Sequence, residues 1–250
     1  MFKKNILLLI CSISFAQETT QIEIEPIQTD RPDQTETPSL TPVKMFQIET
    51  GFSYQKIDSY NSEYVVPTVL WKYGVSEIIE LRLITEFHKN ESFNTYNEGI
   101  SPVLIGCKIR ISEENGILPK ISLIGHLAFP NLAKTEYKNN YLAPEFRFAI
   151  QHTLSEKFSF GYNLGAEWDG FLAKATFLYT TALGYSITDK LGSYIELYGF
   201  APEQQTANHN FDGGFTYLIT NNFMIDASGG FGITKNAPDY FYALGFSFRI

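Results

Sequence analysis

Apolar and polar residues alternate along most of the chain after residue 44. Phe46 and Ile48 fall on one face of an extended strand and Gln47 and Glu49 on the other, because successive side chains of a strand point to opposite faces. The same alternation returns eleven more times. The pattern predicts twelve β-strands, beginning near residues 46, 65, 79, 103, 120, 142, 158, 174, 194, 211, 223 and 240.

The predicted strands are long for a soluble protein. Most of them span about 9–12 residues, a length that crosses an outer membrane when the strand is tilted. Strands of soluble proteins are shorter, with about 5–6 residues. The pattern therefore predicts an all-β fold, a closed antiparallel up-and-down transmembrane β-barrel of about 12 strands.

Every second connection is short, and these connections resemble one another. Residues 153–158, 186–191 and 217–223 place Ser or Thr and an acidic or amide residue between apolar residues, and such side chains close tight turns. Other connections, such as 89–99 and 130–139, are longer and more polar. Outer-membrane barrels have short periplasmic turns and longer extracellular loops, so the N and C termini are both predicted to be periplasmic.

The chain before the barrel has two parts. In residues 1–16, Lys3 and Lys4 precede an apolar stretch and a small-x-small cleavage site, which predicts a signal peptide. Residues 17–44 are polar and rich in proline, which predicts an extended segment without regular structure, and residues 45–250 form the predicted barrel. Cys11 would leave with the signal peptide, so Cys107 would have no disulfide partner.

Composition narrows the class of protein. Aromatic residues make up 15% of the chain and charged residues 18%, and the sequence has no run of about 18 apolar residues that would form a transmembrane helix. The formal net charge of -8 argues against nucleic acid as a partner. The expected location is the outer membrane of a Gram-negative bacterium.

The two faces of the predicted strands differ in charge. One face is aromatic and aliphatic in almost every strand, and in lipid this face points outward while the opposite face lines the lumen. Trp71, Trp168 and Tyr240 lie near strand ends, where an aromatic girdle is expected. The predicted lumen lining consists of Glu80, Arg82, Glu86, His88, Lys108, Arg110, His126, Glu145, Arg147, Glu167 and Asp226.

A family resemblance is carried by residues 29–38, which read Thr-Asp-Arg-Pro-Asp-Gln-Thr-Glu-Thr-Pro, and by 46–52, 71–75 and 80–83. The chain from residue 29 to 250 resembles the "MetA-pathway of phenol degradation" family, whose members are called outer-membrane transporters. The resemblance implies a channel for passive uptake of small solutes, hydrophobic or aromatic ones among them, and it brings no catalytic residues. Residues 242–250 also resemble the C-terminal targeting strand of outer-membrane proteins, with Ile250 in place of the usual Phe.

Two other functions stay open at this point. Lumenal acids and bases that pair with each other would fill a narrow barrel, giving a plugged structural or adhesive barrel without transport. An outer-membrane lipid-modifying enzyme would need a Ser–His pair with a third polar group, and neither His88 nor His126 has such partners at matching parity. We therefore predict no enzyme activity, cofactor or metal site, and we expect outer-membrane lipid, the barrel-assembly machinery and a small solute as partners.

Residues 30–36 are predicted to fold back against the periplasmic mouth of the lumen. A simple tether would need neither an arginine between two acids nor stiffening prolines. Arg31 is expected to hold a lumenal carboxylate through two hydrogen bonds, which a lysine does less well. Glu49 is its candidate partner, and Arg249 on the last strand is expected to complete a network with Asp30, Asp33 or Glu49.

Overall fold

The computed structural model describes residues 25–93 and 95–250. The predicted signal peptide lies outside these residues. The described residues form thirteen β-strands and two short 3-10 helices, Pro130–Leu132 and Thr135–Tyr137. The strands are β1 Phe46–Lys56, β2 Asn61–Ser76, β3 Ile79–Ser92, β4 Thr95–Ile100, β5 Val103–Ser112, β6 Lys120–Phe129, β7 Ala143–Thr153, β8 Phe158–Trp168, β9 Ala175–Ser186, β10 Leu191–Pro202, β11 Asn208–Thr220, β12 Phe223–Gly232 and β13 Tyr240–Arg249.

Twelve of these strands close into an antiparallel barrel. They pair in chain order, and β1 closes the ring by pairing with both β2 and β13. The thirteenth strand, β4, pairs with the end of β3, while β5 pairs with the beginning of β3. The predicted twelve-stranded up-and-down barrel is confirmed, and the connection at 89–99 is a hairpin rather than an irregular loop. The hydrogen bonds between paired strands join backbone groups and do not depend on apolar side chains, so strand pairing continues into this polar stretch.

A bulge in β2 interrupts the predicted alternation. The pairing of β2 with β3 shifts register between Val65 and Thr68. Before the bulge, Glu63 contacts His88, and after it Thr68 contacts Glu86, so an odd and an even position face the same side. The prediction of one continuous face through residues 65–73 is therefore wrong at its first residues, because an inserted residue reverses the order of the faces.

The interior of the barrel is polar and its exterior is apolar. The described residues bury one small cluster of apolar side chains, Ile27, Leu218 and Met224. A soluble barrel has the opposite arrangement, so the prediction that the apolar face meets lipid agrees with the fold. The largest fully buried side chains include Lys72, Lys108, Gln47, Glu49, Glu80, Glu196, Asn163 and Asp212.

The two rims of the barrel can be told apart by the chain ends. At the terminal rim β1 begins and β13 ends, and Phe46 N donates to Ile250 O at 2.8 Å. Four connections at this rim are tight turns and one, 113–119, is longer. The distal rim carries the 3-10 helices and the β3–β4 hairpin. Within the described residues no helix is long and apolar enough to cross a membrane.

An arginine on the apolar exterior should destabilise the barrel. Leu164 lies in β8 and is 52% exposed. Leu164→Arg should lower the free energy of unfolding from lipid vesicles by about 2–4 kcal/mol, because lipid solvates the charge poorly. Thr216→Arg adds the same side chain beside a lumenal cavity and should cost much less in the same urea titration. Equal losses would contradict the assignment of the faces.

Candidate functional site

Residues 25–44, the lumenal segment, cross the inside of the barrel without forming a helix or a strand. At one end Ile27 N donates to Asn221 O at 2.8 Å, in the turn between β11 and β12. At the other end Lys44 N donates to Gly74 O on β2 at 2.7 Å. Between these points the segment contacts strands all around the barrel, so it occupies the lumen itself.

Asp30 is the centre of an ion-pair network. Its Oδ2 accepts hydrogen bonds from Lys72 Nζ and Arg82 Nη1, each at 2.9 Å, and its Oδ1 accepts from Lys108 Nζ at 2.7 Å. Its backbone N–H donates to Glu49 Oε2 at 2.9 Å. Each of these four wall residues is at most 2% exposed. One residue of the segment thus joins β1, β2, β3 and β5.

The charges around Asp30 are balanced. Glu49 Oε1 lies 2.6 Å from Lys72 Nζ, and Glu80 Oε1 lies 3.2 Å from Arg82 Nη1. Three carboxylates therefore face three cations, Lys108 being the third. Since a buried charge without a partner is strongly unfavourable, the burial of each group depends on the others.

The two aspartates of the segment differ in ionisation. Burial by itself would raise the pKa of Asp30, but the charges of Lys108 and Lys72 outweigh burial and hold its pKa well below the usual range. Burial also raises the pKa of Asp33, and there the neighbouring carboxyl of Glu196 raises it further, well above the usual range. Asp30 is therefore a buried anion, whereas Asp33 lies among carboxyl groups.

Arg31 holds the carboxylate of Asp226. Its Nη2 donates to Asp226 Oδ1 at 2.8 Å and its Nε to Oδ2 at 3.3 Å, the two-bond geometry that a guanidinium allows. The predicted side-chain partner was Glu49, but Glu49 receives the backbone N–H of Arg31 at 3.2 Å and is already paired with a buried lysine. Gly51 and Gly245 lie against the guanidinium, and a Cβ at either position would overlap it.

Arg249 lies outside the network around Asp30. Its Nε donates to Asn222 Oδ1 at 3.0 Å and its Nη2 to the carbonyl of Glu25 at 2.6 Å. It pairs with Gln47 on β1, one lumenal position nearer to the terminal rim than Glu49. The predicted network of Arg249 with Asp30, Asp33 or Glu49 is therefore wrong.

Glu36 extends the network toward the middle of the barrel. Its Oε2 accepts from Arg82 Nη2 at 2.5 Å, and its Oε1 lies 3.5 Å from Arg147 Nη1. Arg82 Nε also donates to His126 Nε2 at 3.1 Å, so that ring nitrogen is an acceptor. His126 Nδ1 is then the donor to Glu145 Oε1 at 2.6 Å. This histidine is a bridging wall residue with both ring nitrogens occupied.

The other side of the segment is bound mainly through neutral donors. Thr35 Oγ1 lies 2.7 Å from Thr180 Oγ1 on β9 and donates to Glu196 Oε1 on β10 at 2.5 Å. Glu36 N donates to Asn163 Oδ1 at 2.7 Å, and Asn163 Nδ2 donates to Glu36 O at 3.0 Å. The amide of Asn163 thus fixes the position of the segment along β8.

Two other predicted lining residues lie away from Asp30. Arg110 Nη1 lies 2.6 Å from Glu113 Oε1 at the terminal rim. His88 lies toward the distal rim, where its ring nitrogens are 2.8 Å from Glu63 and 3.1 Å from Glu86. The lumenal charges therefore form separate groups along the barrel axis rather than one lining.

The sequence prediction lacks several buried residues of the site, and four of them are Lys72, Asn163, Glu196 and Asp212. All four occupy polar positions in the alternation of apolar and polar residues. For the three charged ones, this position was enough to predict a place on the lumenal face. Asn163 carries no charge, and its role depends on the segment beside it, which no pattern in β8 indicates.

Asp212 should tolerate the loss of its charge. It faces Glu196 across β10 and β11, both are 1% exposed, and among the described residues neither Asp212 carboxylate oxygen has a hydrogen-bond partner. Because facing carboxylates repel, Asp212→Asn should leave the free energy of unfolding in urea unchanged or raise it by up to about 1 kcal/mol. Asp226→Asn weakens the pair with Arg31 and should lower it. The opposite order would contradict these charge assignments.

Two cavities lie on either side of the network. One of about 330 Å³ opens at the terminal rim between the lumenal segment and β8–β12. The other, of about 250 Å³, lies toward the distal rim and is lined by strand and loop residues but by no residue of the segment. The contacts from Glu36 through Arg82 and His126 to Glu145 separate the two spaces.

Known structures share this fold. The COG4313 outer membrane channel from Pseudomonas putida F1 is 14% identical with a TM-score of 0.72, over 88% of this chain and 99% of that chain. The NanC porin is 11% identical with a TM-score of 0.54, over 82% and 100%. The translocator domain of the autotransporter NalP from Neisseria meningitidis is 9% identical with a TM-score of 0.51, over 84% and 90%. No curated protein matches the chain.

The family comparison covers both the segment and the barrel. The family model described as "Putative MetA-pathway of phenol degradation" matches residues 29–250. The match begins at the Thr-Asp-Arg-Pro sequence that carries Asp30 and Arg31, and it ends with the last strand. The resemblance expected from these residues is confirmed, and the chain belongs to the "Putative MetA-pathway of phenol degradation" family.

Proposed function

We propose that this protein is an outer-membrane channel for passive movement of small solutes, and that the lumenal segment closes it in the described state. The observation that carries the proposal is the position of the segment inside the barrel, at a level between two cavities. Outside one isolated bridge between Val43 and Gly74, the segment takes no part in the strand pairing that closes the barrel. It could therefore leave the lumen while the barrel stays folded.

The contacts of the segment suit a reversible closure. Buried ion pairs contribute little net free energy, because each charge loses its water on burial and regains it on release. Apolar anchoring is small, since Ile27 is the residue of the segment in the described apolar cluster, with Leu218 and Met224. Release of the segment should thus cost far less than unfolding of the barrel.

The cavities indicate the size of the solute. A cavity of roughly 150 Å³ accommodates a benzene molecule, so spaces of about 330 and 250 Å³ accommodate single-ring solutes. The family description names phenol degradation, which supports aromatic compounds. We assign small hydrophobic or aromatic molecules as the solute class.

The orientation belongs to the same proposal. Tight turns predominate at the terminal rim, which we place in the periplasm, and the distal rim is then extracellular. An N-terminal signal peptide would export the chain to the outer membrane, and the barrel-assembly machinery would recognise the last strand. In this assignment the lumenal polar residues serve closure and passage, and none is catalytic.

A plugged barrel without transport is the second candidate. It is favoured by the balanced pairing of three carboxylates with three cations around Asp30. In that case the segment would be a permanent part of the interior, and the barrel would serve a structural or adhesive role.

A reversible cross-link distinguishes the two candidates. Thr35 Oγ1 and Thr180 Oγ1 lie 2.7 Å apart, so Thr35→Cys with Thr180→Cys brings two sulfurs close enough to form a disulfide after a small adjustment. Cys11 and Cys107 are replaced by Ser in this background. In a planar bilayer we expect discrete current steps after reduction and silence after oxidation, because the cross-link fixes the segment to β9.

The controls separate closure from damage. Thr35→Cys alone should conduct equally with and without oxidant. Current that persists in the cross-linked protein would show that the segment does not close the lumen. Silence of the reduced protein and of the parent chain across repeated insertions would favour the plugged barrel.

A further inference from the structure

The cavity near the distal rim is rich in carboxylates. Glu86, Glu145, Glu167 and Asp169 line it, and no lysine or arginine of the described chain does. Glu145 and Glu167 face each other directly across β7 and β8. Facing like charges destabilise a sheet, so a bound cation would stabilise this pair.

Protein groups partner three of these four carboxylates: Glu86 contacts His88, and Asp169 Oδ1 accepts from the backbone N–H groups of Phe171 and Leu172. Glu145 Oε1 accepts from His126, but Glu167 has no hydrogen bond or ion pair with the residues that the structure describes. Arg147 is the nearby cation, and its Nη1 is directed at the lumenal segment, 3.5 Å from both Glu36 Oε1 and Gln34 O. The carboxylate of Glu167 is thus available to a ligand.

A second and independent observation comes from Asn139, which lines the same cavity and is 5% exposed. Its Nδ2 donates to the carbonyl of Asp169 at 3.2 Å, which fixes the orientation of the amide. Its Oδ1 is buried and has no hydrogen-bond partner among the described residues. A buried acceptor without a donor is unfavourable by itself, so this side of the cavity also requires a ligand that donates.

Apart from the hydroxyls of Ser101 and Thr176, the rest of the lining is apolar. Trp168, Leu104, Pro102 and Pro144 line the cavity beside the carboxylates. The described residues contain no group of three or more His, Cys, Asp or Glu that could hold a metal ion. The acceptors are therefore spread out, which suits an extended organic cation better than a bare ion.

We propose that this cavity binds a small organic cation, an ammonium group attached to an apolar or aromatic body. The ammonium would donate to Glu167 and Asn139, and the apolar body would pack on Leu104 and Pro102. The inference rests on the proposed function in that the site lies at the distal entrance of the channel, where it would select which solutes enter.

The test uses the full chain with Trp71→Phe, which leaves Trp168 as the remaining tryptophan of the two in the sequence. Trp71 is 41% exposed on the outer face, so its replacement should leave the lumen unchanged. Binding of benzylammonium, benzyl alcohol and benzoate is measured by equilibrium dialysis and by Trp168 fluorescence. We expect benzylammonium to bind about tenfold or more tightly than its neutral and anionic analogues, since hydrogen bonds to charged groups are the stronger ones.

Glu167→Gln should remove this preference for the cation, and Glu156→Gln, an exposed carboxylate in the turn after β7, should retain it. A difference in electrophoretic migration between boiled and unboiled samples of each variant checks that the barrel is closed. Equal binding of the three probes by the parent chain, absence of binding in dialysis, or an unchanged preference in Glu167→Gln would overturn the proposal. Displacement of benzylammonium by equimolar Ca²⁺ would also overturn it, in favour of a metal site.

Conductance of the same preparation separates this inference from the proposed function. Current without selective benzylammonium binding would refute the cation site and leave the channel standing. Selective binding in a protein that never conducts would refute the channel and leave the site standing.

Discussion

Replacing residues 28–36 with a Gly-Ser stretch of equal length should open the lumen. The replacement removes Asp30, Arg31 and Glu36 together, and with them the ion pairs to β2, β3, β5, β7 and β12. The barrel ladders do not include these residues, so the protein should still show heat-modified migration on unboiled electrophoresis. We expect large, continuous single-channel currents in planar bilayers and faster efflux of a small aromatic solute from vesicles, because the lumen is then filled by water.

The matched control is a Gly-Ser replacement of 203–207, a connection of the distal rim that does not include the segment. Its currents should equal those of the parent chain. If the replacement of residues 28–36 leaves current, efflux and barrel stability unchanged, the segment does not close the lumen.

Asp30→Ala should release the segment by a single substitution. It leaves Lys108 without an ion-pair partner among the described residues, whereas Lys72 keeps Glu49 and Arg82 keeps Glu36 and Glu80. Breaking a buried pair in this way costs about 3–5 kcal/mol, which is roughly a 10²–10⁴-fold change in the docking equilibrium. Cleavage after Glu36 by a glutamyl endopeptidase should become faster by a comparable factor, and the open fraction in bilayer recordings should rise.

Two controls accompany this variant. Asp239→Ala removes an exposed carboxylate at the distal rim and should change neither measurement. Asp30→Ala combined with Lys108→Met restores the balance of charge and should recover part of the protection against cleavage. Protection of the segment that is the same in Asp30→Ala and the parent chain would mean that docking is held by the neutral contacts of Thr35 and Glu36 instead.

The separate groups of lumenal charge explain why a list of polar positions was an incomplete description of the site. Parity placed Arg82 and Lys108 in the lumen, and both are there. The odd or even position of a residue in a strand does not give its position along the barrel axis. The alternation therefore could not separate Arg82 and Lys108 from Arg110 at the terminal rim or from His88 toward the distal rim. The ion-pair partners of a lumenal side chain lie on strands that are far apart in the chain.

Arg31 shows the same limit. The sequence around it predicted a guanidinium that grips a carboxylate with two bonds, and such a grip exists. Its partner is 195 residues away, and the space for it comes from Gly51 and Gly245, which read as ordinary barrel glycines. No local pattern encodes which of several lumenal acids is unoccupied when the segment arrives.

The barrel follows from the strand pattern alone. A period of two over membrane-length strands, with one apolar and one charged face, leaves a closed antiparallel barrel in lipid as the arrangement that satisfies both backbone and side chains. The identity of the segment that fills the lumen follows from the three-dimensional contacts, because residues 25–44 have no periodicity and are ordered by contacts with many strands at once. Those contacts exist only after the ring has closed, which is the physical reason why the barrel could be read from its strands and the occupied lumen could not.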